Sequence, residues 1–294
     1  MMPFRIPPYV LLTMAALFWG GNLIVGRVMV DDASPLAMAF WRFFSALMVM
    51  LPFSFPDFWR YRHLVIKYFG YLMLLGVTGI TGFQTMVYLA LTETTAVNAS
   101  LFLSLTPIFI AIIAFGMGDE RPGFKNLFGI SVSMIGVMVM ISRGDLTVLK
   151  NVQFNHGDLW MMAAVPLWAL YSVLLKRRPQ ELPAGVLLIS TMMMGIIVLA
   201  PFYLWDVRSG GGVNWTLNSV MAFAYLSIFS SVLSYQFWNS GVREIGAVRA
   251  GPFMHLVPVF ATVLAIILLN EKLYIFHYIG VPLIALGILL NARK

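Results

Sequence analysis

The stretch AVNASLFLSLTPIF at residues 96–109 returns as AVRAGPFMHLVPVF at residues 247–260, which is 151 positions later. The same register continues without a gap to residues 138 and 289, and 11 of its 43 positions are identical. Shared Leu or Ala would mean little in so apolar a chain. The identities also include a proline, a glutamate and two glycines: Pro107/Pro258, Glu120/Glu271, Gly129/Gly280 and Gly136/Gly287. The chain is therefore predicted to contain two related halves.

The start of the chain fits the same repeat. A shift of 149 positions pairs Trp19 with Trp168 and Ala15 with Ala164. The halves are predicted to cover residues 1–145 and 155–294.

Composition indicates that the solvent of this protein is lipid. Of the 294 residues, 60% are hydrophobic and 11% are charged, against about 45–50% and 25% in soluble domains. Ten membrane helices of about 20 residues fit this length and leave no room for a soluble catalytic domain. No GxxxxGK[ST] loop is present, so ATP-driven pumping is excluded. Ten spans are predicted: 8–30, 35–53, 68–91, 95–117, 124–142, 157–177, 183–205, 217–241, 246–270 and 275–291.

The basic residues predict the orientation. With the N-terminus in the cytoplasm, 13 Lys and Arg fall in inner segments, five fall outside and Arg42 lies within a span, which completes the 19. This excess indicates a multi-pass protein of the cell (inner) membrane with both termini cytoplasmic. The net charge of +7 is explained in this way, and no nucleic-acid partner is predicted.

Five helices per half is an odd number, so the second half must enter the membrane from the opposite side. Inverted repeats of this kind are typical of secondary transporters, which hold the substrate near the midplane between the halves. A duplicated membrane scaffold without transport is the alternative. The predicted fold is an all-α integral membrane protein with ten transmembrane helices, as two inverted five-helix repeats around a central cavity.

Each half has a Trp in its first helix, an Ala-Val-x-Ala…Pro fourth helix, a Glu after it and a glycine-spaced fifth helix. Over nearly the whole chain this pattern resembles the EamA family of the drug/metabolite transporter superfamily, and its length and aromatic content resemble the bacterial amino-acid exporter branch. The resemblance implies a cavity lined by helices 1, 3, 4, 6, 8 and 9, with peripheral helices 5 and 10 packed together. It also implies export of small organic metabolites without ATP, a cofactor or an ATPase subunit.

Polar and aromatic residues within the predicted spans are the candidates for the transport path, since such groups tend to face a bundle interior. The alternative is that they only bond neighbouring helices. The candidate substrate-binding residues are Trp19, Asn22, Gln84, Tyr88, Asn98, Trp168, Tyr171, Tyr235, Asn239 and His255. Three prolines, Pro107, Pro166 and Pro258, are expected to kink helices 4, 6 and 9 and to serve gating.

The predicted ring has very little fixed charge, because all twelve acidic residues fall in loops or near helix ends. This favours neutral or zwitterionic substrates, such as aromatic or other amino acids. Arg42 is predicted to snorkel or to pair structurally. His255 is predicted to be a neutral hydrogen-bonding wall, and a proton carrier is the alternative. The alternative function is a proton-coupled exporter of lipophilic drugs or cations. Four scattered histidines give no catalytic or metal cluster, so an enzyme is not predicted, and a channel is the remaining competitor.

Overall fold

The structure is a computed structural model that describes residues 6–29, 31–94, 96–151, 154–269 and 274–292. These residues contain ten helices that are long and apolar enough to cross a membrane, which confirms the all-α prediction. We number them α1 to α10: Pro8–Gly26, Pro35–Arg60, Phe69–Glu93, Asn98–Gly116, Phe124–Ile141, His156–Arg177, Ala184–Arg208, Leu217–Ile245, Ala247–Ile267 and Ile275–Ala292.

The second helix is longer than predicted. It runs from Pro35 to Arg60 and passes through Pro52 and Pro56, whereas the sequence predicts a span that ends at residue 53. Prolines inside membrane helices are tolerated because neighbouring helices and side chains satisfy the freed backbone groups. A proline alone therefore does not mark the end of a span.

The helices cross the molecule alternately, so their connections collect on two faces. The N-terminal face carries residues 6–7, 61–68, 117–123, 178–183 and 246, and the opposite face carries residues 31–34, 94, 142–151 and 209–216. On the opposite face the α1–α2 and α7–α8 connections pair through an isolated bridge between Ala33 and Val213. The Ser34 hydroxyl also donates a hydrogen bond to Asp206, which ties these connections to the end of α7.

Helices α5 and α10 pack against each other along glycine contacts, as the family resemblance implies. A Cβ atom at Gly129 would lie 2.6 Å from the carbonyl oxygen of Gly287, and one at Gly136 would lie 2.7 Å from that of Gly280. Both distances are below van der Waals contact, so the two backbones approach as closely as small residues allow. Elsewhere α2 packs on α7, α3 on α6, and α1 on both α8 and α9.

Helices α3 and α8 each contain a π-helical segment, Val77–Gly82 and Leu226–Leu233 respectively. Such segments are rare in proteins, and those that occur often lie at functional sites. A shift of 151 positions carries residues 77–82 onto 228–233, which lie inside the second segment. The two unusual segments therefore occupy corresponding places in the two halves.

Helices α4 and α9 are interrupted near their prolines. In the first, helical residues Ala96–Ser104 and Thr106–Gly116 meet at Leu105. In the second, a 3-10 segment, Gly251–His255, precedes the helix Leu256–Leu269. Pro107 and Pro258 lie just after these interruptions, since proline cannot donate the backbone hydrogen bond that would continue the helix. Pro166, by contrast, lies inside a continuous helix, His156–Leu174.

Candidate functional site

Arg42 is the most unusual residue of the interior, because its side chain is completely buried. It follows the start of α2 at Pro35 by seven residues, so it lies about 10 Å along the helix. Of the two predictions for Arg42, snorkelling is wrong, since the guanidinium points into the bundle, while structural pairing agrees with its hydrogen bonds to other helices. The predicted ring with very little fixed charge is corrected in the same way, because a full positive charge lies at its centre.

The guanidinium is hydrogen-bonded by three other helices. Its Nε donates to the hydroxyl oxygen of Ser231 at 2.7 Å, and its Nη2 donates to the carbonyl oxygen of Ser230 at 2.9 Å. Its Nη1 faces three acceptors: Asn22 Oδ1 at 3.3 Å, Gln84 Oε1 at 2.9 Å and Tyr88 Oη at 3.2 Å. Arg42 therefore joins α1, α2, α3 and α8, and it gathers three of the predicted site residues. We call Arg42 with these five partners the polar cluster.

A group of aromatic rings lies beside the polar cluster. The indole rings of Trp19 and Trp168 meet edge to face with centroids 5.2 Å apart, and the phenol ring of Tyr235 contacts both, at 6.0 and 5.5 Å. Tyr171 stacks on Trp168 at 5.1 Å, and Trp238 contacts both tryptophans. Offset and edge-to-face arrangements of this kind suit the ring quadrupoles. We call these five residues the aromatic group.

Hydrogen bonds connect the aromatic group to its surroundings. Gln84 Nε2 donates to the hydroxyl of Tyr235 at 3.5 Å, and that hydroxyl donates to the carbonyl oxygen of Gly79 at 2.7 Å. Tyr171 donates to Asn239 Oδ1 at 2.9 Å. The indole N–H of Trp168 has no acceptor among the described residues, although it is buried. The polar cluster and the aromatic group thus form one continuous site, which is closed in this structure because its side chains pack against each other.

Two predicted site residues lie elsewhere. Asn98 donates to both carboxylate oxygens of Asp158, at 3.2 and 2.9 Å, toward the opposite face. The imidazole of His255 contacts the hydroxyl of Ser133 at 2.8 Å and the carbonyl oxygen of Ser104 at 2.9 Å, so it links α9 to α5 and α4. The structure brings the other eight substrate-binding candidates together and leaves these two outside the group.

A polar cavity of about 390 Å³ opens on the N-terminal face between the ends of α4, α6 and α8 and the start of α9. The carboxylate of Glu120 accepts the backbone N–H groups of Ala247 at 2.8 Å and Val248 at 3.3 Å. It also pairs with Lys176 at 3.5 Å. A carboxylate at a helix N-terminus is stabilised by the exposed N–H groups and the helix dipole. Glu120 of the first half therefore holds the start of α9 in the second half.

Basic side chains slightly outnumber acidic ones in the lining of this cavity. Arg121, Lys176, Arg243 and Arg249 line it, together with Asp119, Glu120 and Glu244. Burial and the neighbouring Arg243 lower the pKa of the Arg178 guanidinium. A second cavity, of about 560 Å³, is an apolar crevice between α1, α9 and α10.

Sequence reasoning missed the partners that complete the site. Ser230 and Ser231 lie in the π-helical segment of α8, and the Ser230 carbonyl oxygen accepts hydrogen bonds from both Arg42 and Trp19. Trp238 donates to the hydroxyl of Ser172 at 3.2 Å. Trp238 lies three residues after Tyr235, so the shared helix face was the signal that could have identified it. Within the described residues no group of His, Asp or Glu could hold a metal ion.

Ten apolar helices around a buried polar and aromatic centre define a multi-pass membrane protein of the transporter class. The sequence profile of the EamA-like transporter family matches the chain twice, over residues 6–142 and 155–293. The chain belongs to the EamA-like transporter family. The family and its named relatives indicate a transporter and not an enzyme.

Individual relatives agree with this assignment. YyaM of Bacillus subtilis (strain 168), described as an uncharacterized transporter, is 30% identical over 282 residues, which are 96% of this chain and 92% of the relative. A probable amino-acid metabolite efflux pump of Salmonella typhimurium (strain LT2) is 26% identical over 286 residues, which are 95% of this chain and 92% of that relative. A solved crystal structure shares the fold, with a TM-score of 0.75, 17% identity and coverage of 96% of this chain and 95% of the other.

Proposed function

We propose that this protein is a secondary transporter that works by alternating access. It exports small zwitterionic or neutral metabolites, in particular amino acids, including aromatic ones. The observation that carries the proposal is the closed site itself, where the aromatic group adjoins a buried polar cluster. Aromatic faces bind the apolar part of a small molecule, while amides, hydroxyls and a guanidinium bind its polar end. The similarity to a probable amino-acid metabolite efflux pump supports the same substrate class.

Contacts between corresponding residues support the inverted repeat on which alternating access depends. The repeat equates Trp19 with Trp168, Gln84 with Tyr235, and Ser104 with His255. In each pair the two members contact each other. A residue contacts its own counterpart only close to a symmetry axis, so the first two pairs, which lie in the site, support an axis that passes near it. The family profile, which matches once in each half, agrees with this division.

The proposed motion uses the irregular segments of the helices. The π-helical segments of α3 and α8 and the interruptions in α4 and α9 have fewer regular backbone hydrogen bonds to resist bending. Release of the α9 N-terminus from Glu120 would open the N-terminal face. We propose that the termini are cytoplasmic in the cell (inner) membrane, so that this face receives the exported molecule.

Counterflow in proteoliposomes tests the proposal. Vesicles that contain the purified protein and unlabelled L-phenylalanine should accumulate labelled L-phenylalanine transiently, without ATP, and the rate should saturate with concentration. Empty vesicles provide the control. An absence of flux across a broad panel of amino acids would contradict the substrate class, and continuous single-channel currents would indicate a channel.

The competing proposal, a proton-coupled exporter of lipophilic drugs or cations, makes a different prediction. The charge of Arg42 repels a cationic substrate from the site, and His255 is bonded between helices away from it. We therefore expect the flux of L-phenylalanine to be independent of an imposed pH gradient. Flux of a lipophilic cation that follows the pH gradient, and loses this response in His255→Gln, would favour the competing proposal.

A further inference from the structure

We propose that Arg42 is the recognition residue for a carboxylate group of the transported molecule. This inference rests on the proposed function, and it goes further because it assigns the ligand class and the atoms that bind it. The family resemblance implies that the helix of Arg42 lies outside the path, whereas its burial and its hydrogen bonds place Arg42 at the centre of the site.

The positive charge of Arg42 has no counter-ion among the described residues. Its guanidinium is completely buried, and none of the ion pairs among the described residues includes it. All of its acceptors are neutral: a serine hydroxyl, a backbone carbonyl, two amides and a phenol. An ionised group in the membrane interior is costly, and such groups usually pair with an opposite charge or mark a substrate pathway. The charge of Arg42 is stabilised by neutral groups alone, which include the Phe43 ring 5.1 Å from the guanidinium, so the site lacks an anion.

The guanidinium of Arg42 has more hydrogen-bond donors than its partners satisfy. A guanidinium has five N–H groups. The single N–H group of Nε donates to Ser231, and the two N–H groups of Nη1 are shared among three acceptors. Nη2 has two N–H groups but donates a single hydrogen bond, to Ser230. One N–H of Nη2 therefore has no acceptor among the described residues.

The surplus continues around the guanidinium. Tyr88 is buried and serves only as an acceptor toward Arg42, so its O–H has no acceptor among the described residues. Asn22 also accepts from Arg42, but it is only half-buried. The indole N–H of Trp168 is also without an acceptor among the described residues, and Trp168 is 1% exposed. Buried donors are normally satisfied. The unsatisfied donors of Arg42, Tyr88 and Trp168 lie in the same site as an unpaired positive charge, which fits a ligand that supplies acceptors and negative charge.

A carboxylate meets this requirement best. It is planar, has two oxygens with about four acceptor positions and matches the guanidinium fork, while adding no donor of its own. The groups beside Arg42 indicate the chemistry of the remainder of the ligand. The aromatic group offers ring faces to an apolar side chain, and ring faces also attract an ammonium group. The ligand class is therefore a small carboxylate with an apolar part, such as a zwitterionic amino acid.

The test compares two probes that differ in the carboxylate alone, L-phenylalanine and L-phenylalaninamide. Binding to the purified full-length protein is followed by its tryptophan fluorescence, for which the chain provides eight tryptophans. The wild-type protein should bind L-phenylalanine more tightly by about 10- to 100-fold, the range expected for hydrogen bonds to a charged group. Arg42→Gln should bring this ratio close to one while binding of L-phenylalaninamide persists, and Arg42→Lys should give an intermediate ratio.

Further variants keep the test decisive if Arg42→Gln does not fold. Tyr88→Phe removes one donor and retains the ring, so it should weaken L-phenylalanine binding by about two- to tenfold and leave L-phenylalaninamide unchanged. Arg62→Gln removes an exposed arginine of the N-terminal face and serves as the control, with both affinities as in the wild type.

The outcomes separate this inference from the proposed function. If the wild-type protein transports L-phenylalanine but Arg42→Gln keeps the wild-type ratio, the carboxylate site is wrong and the proposed function stands. Equal binding of the two probes by the wild-type protein also overturns the inference. If the wild-type protein neither binds nor transports amino acids, the proposed function fails and the carboxylate site fails with it.

Discussion

Gly79 provides a sharp test of how tightly the site is packed. A Cβ atom at this position would lie 2.3 Å from Cδ2 and 2.6 Å from Cγ of Tyr171. Carbon atoms in contact are about 3.5 Å apart, so Gly79→Ala requires the ring to move by roughly 1.2 Å. The ring has no free space, because it is fully buried and stacks on Trp168. Its movement would break the 2.9 Å hydrogen bond to Asn239.

The expected loss of stability follows from these contacts. Overpacking costs about 1–3 kcal/mol, an unpaired buried hydroxyl costs about 1–3 kcal/mol, and Ala improves the helix by about 1 kcal/mol. The net loss is about 3 kcal/mol. With an unfolding entropy of about 2.1 cal/mol/K per residue, this lowers the unfolding temperature by at least about 5 °C.

The assay is thermal unfolding in detergent, followed by tryptophan fluorescence, together with counterflow of L-phenylalanine. Gly70→Ala lies on the same span, where a Cβ atom would meet nothing within 4 Å, and is the matched control. We expect Gly70→Ala to unfold at or slightly above the wild-type temperature. If the two variants unfold at the same temperature and transport equally, the packing of Tyr171 against Gly79 is refuted.

Three further predictions concern the gate, the orientation and the peripheral helices. Glu120→Gln weakens the hydrogen bonds between this side chain and the N-terminus of α9. A single cysteine in place of Val248 should then react with maleimide about two- to fivefold faster than in the protein with Glu120. An unchanged rate would contradict a role of Glu120 in fixing the start of α9. In intact cells an impermeant maleimide should label Ser209→Cys on the opposite face and spare Arg62→Cys, and the reverse pattern would contradict cytoplasmic termini. Gly287→Ala would bring a Cβ atom within 2.5 Å of the α5 backbone, so unfolding should begin several degrees lower, and an unchanged temperature would contradict the close packing.

Much of the architecture could be predicted because lipid imposes simple rules. Hydropathy locates the spans, since each must bury about 20 residues in the bilayer. The glycine spacing of α5 and α10 predicts an edge suited to close packing on each helix, and the resemblance implies that the two helices meet, as Gly129 and Gly287 do. The repeat in the sequence also equates Trp19 with Trp168, and their two rings meet in the folded chain.

The position of Arg42 could not be predicted, for a physical reason. Its sequence neighbours Phe40, Trp41, Phe43 and Phe44 are large and apolar, and the single Ser45 one turn away makes no polar face that would mark its direction. Its direction depends on packing against α8, where the π-helical segment turns the Ser230 carbonyl and the Ser231 hydroxyl toward it. A π-helical segment adds a residue to a turn and thereby rotates every face beyond it, which a regular helical period does not anticipate.

Asn98 illustrates a second limit of sequence reasoning. A polar residue within a span signals a buried partner, but the sequence does not say which one. Its partner Asp158 lies 60 residues away and also accepts hydrogen bonds from Thr94 and from the backbone of Asn155. The amide therefore satisfies a buried carboxylate at the N-terminus of α6, a need that appears only after α4 and α6 are packed.

Asn239 allows the most direct test of the proposed transport site. Asn239→Ala removes the acceptor of Tyr171 in the site, whereas Leu289→Ala changes a lipid-facing side chain that is 61% exposed on α10. Initial counterflow rates of L-phenylalanine are measured for both variants, reconstituted at equal amounts. We predict a loss of about tenfold for Asn239→Ala and a rate close to wild type for Leu289→Ala. Equal rates in the two variants would contradict the placement of the transport path between the halves.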